Sequence, residues 1–245
     1  HRIVTVDRKI IDMLLYAREM HEKTGGKVNI AMGSVLSIWH EYREAGLAVP
    51  DRAQLEAANA HTDIKNLVVD EENSTVKFAD TEMKLDVGAI AKGYAVERLA
   101  DWLSENEYFG FVLDIGGNLR VIGTKPNGEG WKTGVKDPVT LVDYVHIFEL
   151  KDGSAVTSGG YERYFVVDGV RYHHIIDKDT LMPSVHFLSV SVVCEDSGLA
   201  DALSNPFYLV WSKQTPLTLF VFTLIYVMVF VIYHYTKPNY RRRKE

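Results

Sequence analysis

The chain has 245 residues, of which 47% are hydrophobic and 24% charged, enough to bury a sizeable core and too apolar for a disordered segment. Its formal net charge is −6, and because Lys237, Arg241, Arg242, Arg243 and Lys244 crowd one end, the rest is more acidic still. That argues against nucleic acid as a partner, since phosphate-backbone binding needs a basic face. A single cysteine, Cys194, excludes an intrachain disulfide, and the lack of a Cys/His cluster argues against structural zinc.

Residue 1 is His and no basic-then-apolar signal segment precedes the first periodic stretch, so the chain is expected to begin inside a longer protein. Asp7 can cap a helix through about Glu22, with Ile10, Ile11, Leu14, Leu15 and Met20 on one face and Gly25-Gly26 as its stop. A short strand over 28–31 leads to a helix near 35–45, and Pro50-Asp51 opens a third through about Ala60. Segments 66–69 and 75–78 read as a hairpin, and 83–86 as a strand running into a long helix over 88–103. Strands then dominate: 111–115, 119–122, 131–135, 144–150, 164–167, 171–176 and 188–193. A helix over 198–204 follows, and with no internal repeat or flexible linker the reading is one α+β unit.

From 217 to 233 no residue is charged, and the content is almost wholly Leu, Val, Ile, Phe, Met, Tyr and Thr. This predicts a transmembrane helix over 217–235, joined to the domain by a linker over 206–216 and followed by a basic tail over 236–245. By the positive-inside rule the tail would be cytoplasmic, placing the domain at the cell membrane and facing the periplasm or cell exterior.

Several segments carry chemistry. In Asp86-Val87-Gly88-Ala89-Ile90-Ala91-Lys92, a predicted helix start beside a glycine suits phosphate, and Lys92, four residues after Gly88, shares its face. Taken alone, an ordinary cap and a solvated lysine describe this segment better. Asp114-Ile115-Gly116-Gly117-Asn118 reads as strand, tight turn and strand. Thr157-Ser158-Gly159 offers two hydroxyls in what reads as a loop. His173 and His174 lie on opposite faces of a strand, so only one enters a given pocket. Asp201 offers a carboxylate, and Asn205, one helical turn later, faces the same way.

In this order and spacing, these segments together with His174-Ile175-Ile176-Asp177 and Ala200-Asp201-Ala202-Leu203-Ser204 resemble the ApbE family of flavin transferases, which move FMN from FAD onto a hydroxyl of another protein. The likeness covers about residues 3–204, with the family's opening strands and closing elements absent or replaced. It implies a single ApbE-like, T-fold-related domain over 1–205. It also implies that Asp86 and Lys92 contact the flavin nucleotide and that Ala31, Met32 and Gly33 line the FAD pocket. Thr157, Ser158 and Gly159 would lie near the reacting phosphates, with Ile175 against the flavin and His174 as the catalytic base or positioning group. Mg²⁺ would be held by the Ala89 backbone, Asp201, Ser204 and Asn205. The chain departs from the family at Asn29, Ala31 and Ser34, at Lys178 and Leu181, and at Asn205, where the family has threonine.

The implied reaction is Mg²⁺-dependent transfer of FMN from FAD to a Thr or Ser hydroxyl, releasing AMP. The acceptor would be a flavoprotein subunit of a membrane redox complex. Two alternatives stay open: a catalytically impaired, membrane-tethered flavin-binding protein, and a pyrophosphatase splitting FAD to FMN and AMP.

Overall fold

The computed structural model describes residues 3–209 and the backbone of 227–233. The first half is mainly helical: α1 (Arg8–Lys23), α2 (Gly33–Ala45) and α3 (Arg52–Asn59). Asp7 caps α1 by accepting from Lys9 N, and Ile11, Leu14, Ala17 and Met20 form its buried stripe. Asp51 caps α3 in the same way, and Gly46 ends α2 in the left-handed conformation at φ 67°. A small antiparallel sheet stands beside these helices, in the order β1 (Val4–Thr5), β3 (Thr75–Phe78), β2 (Leu67–Asp70).

The second half is a five-stranded antiparallel sheet in the order β12-β11-β8-β5-β4. Its strands are β4 (Phe111–Ile115), β5 (Asn118–Ile122), β8 (Gly153–Gly159), β11 (Phe187–Cys194) and β12 (Val227–Tyr233). Helices α4 (Ala91–Glu105) and α5 (Ser197–Leu209) pack against each other and cover one face. On that face Val156, Val190 and Val192 meet Ala200 and Tyr208 of α5, each fully buried aliphatic contributing about 1.5–3 kcal/mol. The hairpin of β6 (Trp131–Lys136) and β7 (Tyr144–Leu150) lies under the other face, where Val121 and Val193 meet Leu150. A second hairpin, β9 (Tyr164–Val167) with β10 (Val170–His173), packs Phe165 against Trp39 of α2.

Several expectations change. Residues 28–31 and 83–86 are not strands: they run side by side with one parallel bridge, Met32 to Lys84, and one bond from Asp86 N to Ile30 O at 2.8 Å. Asn29 prevents more, because its Oδ1 accepts from Ala31 N and bends the chain at that point. The helix expected from residue 88 starts at Ala91, since Val87 O is used by both Ile90 N and Ala91 N in a preceding turn. Segment 157–159, read as a loop, is the end of β8, paired to Ser189, Val190 and Ser191 of β11. Small residues hide its strand pattern, yet they let a central strand lie close beneath α5. Finally, β10 stops at His173 and the chain turns away at His174.

The membrane helix expected over 217–235 is corrected where it can be read. Val227–Tyr233 is β12, paired antiparallel with β11 from Cys194↔Val227 to Phe187↔Tyr233. A run of valine, isoleucine, phenylalanine and tyrosine suits a sheet strand as well as an apolar helix, and periodicity cannot separate the two. Among the described residues no helix is long and apolar enough to cross a membrane. The orientation inferred from the basic tail rested on that helix. Residues 217–226, 234–235 and the tail over 236–245 lie outside the described residues. The linker expected over 206–216 begins as helix, because α5 continues to Leu209 with Pro206 inside it; 210–216 lie outside the described residues.

Candidate active site

The packing of α4 on α5 is set by one glycine. A β-carbon at Gly93 would overlap both the Asp201 β-carbon and Ser197 O, so only glycine lets the helices come this close. Closeness puts a backbone donor on a buried carboxylate: Gly93 N donates to Asp201 Oδ2 at 2.8 Å. Asp201 is 2% exposed. Lys92 Nζ stands 3.5 Å from its other oxygen and donates to Gly88 O at 3.3 Å. Burial nevertheless raises the Asp201 carboxyl above its usual range, with Lys92 and Gly93 N opposing the rise. Further positive charge beside it would favour the carboxylate form.

A magnesium ion is one source of such charge. Among the described residues no group of three His, Cys, Asp or Glu side chains gathers as a ligand set. A single carboxylate suits an ion that takes its remaining ligands from phosphate and water. Asn205 lies half-buried one turn beyond Asp201 on α5. Ser204, by contrast, is wholly buried and committed: its hydroxyl donates to Asp201 O at 2.8 Å and meets Ser158 Oγ at 2.7 Å.

Asp86 and Gly88 form a local turn, in which Asp86 Oδ1 accepts from Gly88 N at 2.8 Å. Asp86 is exposed, and Ala89 sits between it and Lys92 in the turn that enters α4. Ala31 and Met32 are buried, and Gly33 opens α2 tight against Lys84 and Leu85, where a β-carbon would clash with backbone. Ala31 shares one cluster with Ile90 and with Ala202 of α5. The structure thus joins residues 30–33, 84–92 and 201–205 around the α4–α5 contact.

Strand alternation separates the β8 hydroxyls. Ser158 faces α5 through Ser204, whereas Thr157 faces the opposite side and bonds Ser191 Oγ at 2.7 Å. Of the two, Ser158 belongs with Asp201. Gly159 is buried at the end of β8.

The two histidines differ, although not by strand alternation, since β10 ends at His173. His173 is buried, with Nε2 donating to Ser184 O at 2.6 Å, Nδ1 accepting from Ile175 N at 3.2 Å, and its ring edge-on to Tyr208 of α5. It is a packing residue. His174 is half-buried, and its Nδ1 lies 3.3 Å from Arg163 O. A carbonyl partner requires Nδ1–H, which leaves the Nε2 lone pair open. Burial pushes its pKa down to about 4, opposed by the bond to Arg163 O and helped by His173 and the charges of Arg163 and Arg43, so the ring is neutral at pH 7. Ile175 is buried beside Phe187 and Tyr208, and Ile176 packs with Met32. Asp201 and Tyr208 both lie on α5, about 10 Å apart along its axis, so one helix ties the histidine segment to the carboxylate.

The sequence reading passed over the residues behind Asp201. Asn118 is fully buried; its Oδ1 accepts from Ser197 Oγ, and Ser197 N donates to Glu97 Oε2 at 2.5 Å. Glu97 in turn pairs with Arg120 at 3.2 Å. Asn118 had been visible only as the end of a glycine turn; its burial was not.

A buried carboxylate beside an ammonium and a glycine-packed helix pair, with a neutral histidine on the adjoining segment, defines a class of site suited to a phosphate-rich nucleotide. The ApbE family profile matches residues 1–217, and the chain belongs to that family. It is 35% identical to the FAD:protein FMN transferase of Treponema pallidum, over 82% of this chain and 60% of that protein. It is 33% identical to the enzyme of the same name from Klebsiella pneumoniae, over 79% and 60%. Among solved structures, the ApbE protein of Thermotoga maritima matches with a TM-score of 0.79 at 39% identity, covering 87% of this chain and 69% of that one. Flavin transferase ApbE from Vibrio cholerae matches at 0.72 and 26% identity, covering 86% and 68%. The chain spans about 60% of the length of the curated relatives it matches.

Proposed function

We propose that this chain transfers FMN from FAD to a serine or threonine hydroxyl of an acceptor protein and releases AMP. The observation that carries this reading is the Asp201–Lys92 pair, a buried carboxylate and an ammonium 3.5 Å apart on two helices locked together at Gly93. Names of the relatives support the flavin and the transfer. Asp201, with Asn205 and the Ala89 backbone, would hold magnesium, which when bound supplies charge neutralisation of the pyrophosphate.

The chain's own groups supply the rest. Lys92 leaves Asp201 for the phosphates and stabilises the charge that develops as the anhydride opens. His174, neutral and with Nε2 open, accepts a hydrogen bond from the acceptor hydroxyl and takes its proton as the oxygen attacks the FMN phosphorus. The phosphorus–oxygen bond to AMP breaks, and its electron pair leaves on the AMP phosphate. Ser204 stays in the α5–β8 contact and holds the Asp201 turn. The acceptor is proposed to be a flavoprotein subunit of a membrane redox complex.

Release of AMP from FAD and Mg²⁺ should require the acceptor and match the flavin it gains one for one. Equal AMP and free FMN without acceptor would indicate a pyrophosphatase instead. Bound FAD with no AMP would indicate a flavin-binding protein.

A further inference from the structure

Behind Asp201 runs a buried polar chain that neither substrate binding nor the transfer step uses. Asn118 opens β5 after a turn in which Gly116 and Gly117 take left-handed φ values of 59° and 82°. Ser197 Oγ–H donates to its Oδ1, and Ser197 is itself held through its backbone N–H by Glu97, which Arg120 holds in turn. Fixing Oδ1 fixes the other end of the amide. Nδ2 is directed to the α4–α5 contact, 3.1 Å from where a Gly93 β-carbon would stand, at the same spot where Asp201 meets Gly93. There it is buried and, among the described residues, has no hydrogen-bond partner in range. An amide donor left unpaired inside a protein is costly and calls for an explanation, a catalytic role among them.

We propose that Asn118 is a positioning residue for Asp201. In the resting chain Gly93 N holds one carboxylate oxygen and Lys92 the other. When phosphate draws Lys92 away, Asn118 Nδ2 closes on the carboxylate and keeps it from rotating out of line. This inference rests on the reading of Asp201 as the carboxylate that meets a magnesium nucleotide.

The test compares the wild-type chain with Asn118→Ala, Asn118→Asp and Ser197→Ala. Two quantities are read: the Mg²⁺ concentration giving half of the melting-temperature rise with FAD present, and FAD affinity without metal from flavin fluorescence. Asn118→Ala should raise the half-effective Mg²⁺ concentration about tenfold, the scale on which groups supporting a metal ligand act, with metal-free FAD affinity unchanged. Asn118→Asp keeps the shape and the Ser197 bond but sets a second carboxylate beside Asp201, and should cost more. Ser197→Ala frees the amide to flip and should fall between wild type and Asn118→Ala. If Asn118→Ala fails to fold, the other two variants carry the test. Lower melting temperatures with unmoved Mg²⁺ dependence would overturn the inference and leave Asn118 a packing residue. A wild-type chain without any Mg²⁺ response in the presence of FAD would overturn the reading of Asp201 and this inference with it.

Discussion

Gly93 N donates to Asp201 Oδ2 across 108 residues of sequence, and the same glycine has no room for a side chain. Helix packing and carboxylate placement are therefore one feature. Gly93→Ala should cost about 1–3 kcal/mol through overpacking and should also lower transfer, because the helices must part. Urea unfolding and a transfer assay on one preparation check both. A stable variant with full activity would mean the contact is looser than it looks.

Asp201 and Lys92 should behave differently from an ordinary ion pair. Burial disfavours the Asp201 charge, so Asp201→Asn should keep or raise the melting temperature while lowering transfer by about 10²-fold or more. Lys92, partly exposed, should tolerate Lys92→Gln in stability and lose rate on a similar scale. Thermal melts beside steady-state rates separate the two effects; a large drop in melting temperature for Asp201→Asn would count against this account.

The histidine pair offers an internal contrast. His173 fills both ring nitrogens with backbone partners, so His173→Ala should lower stability by about 1–3 kcal/mol by leaving them unpaired. His174→Ala should lower the rate, with a smaller change in stability. Chemical denaturation and initial rates on both variants decide it, and losses of the same kind from both would remove the distinction.

Acid should destabilise the fold through these same rings. Burial lowers the pKa of His173 and takes that of His174 to about 4, below the usual value of about 6.5. Between those values the unfolded chain binds more protons than the folded one. Stability is then fully present above about pH 6.5 and is lost as pH falls toward about 4. Melting temperatures across that window should decline, and less steeply in His174→Ala.

Most of the architecture could be read from local rules. Asp7 and Asp51 as helix starts, and the hairpin expected over 66–69 and 75–78 and found as Leu67–Asp70 with Thr75–Phe78, each depend on a few neighbouring residues. What could not be read depended on distant neighbours. Strand β8 is written in small residues because α5 lies on it, and Val227–Tyr233 becomes a strand because β11 offers an edge. Within the site, Asp201, Lys92 and His174 were implied by the likeness to the ApbE motifs, whereas the opposite facing of Thr157 and Ser158 needed the strand assignment of β8. Asn118 reads in sequence only as part of a turn, since nothing there marks an amide as buried and half-paired.

Transfer of FMN to an acceptor hydroxyl is proposed to depend on Asp201. Its most direct measurement is the fluorescence of a candidate acceptor, denatured and run on a gel after incubation with this chain, FAD and Mg²⁺. The account predicts a fluorescent acceptor band with the wild-type chain, none when the acceptor's hydroxyl residue is replaced by alanine, and almost none with Asp201→Asn. A band of equal intensity with Asp201→Asn would contradict it.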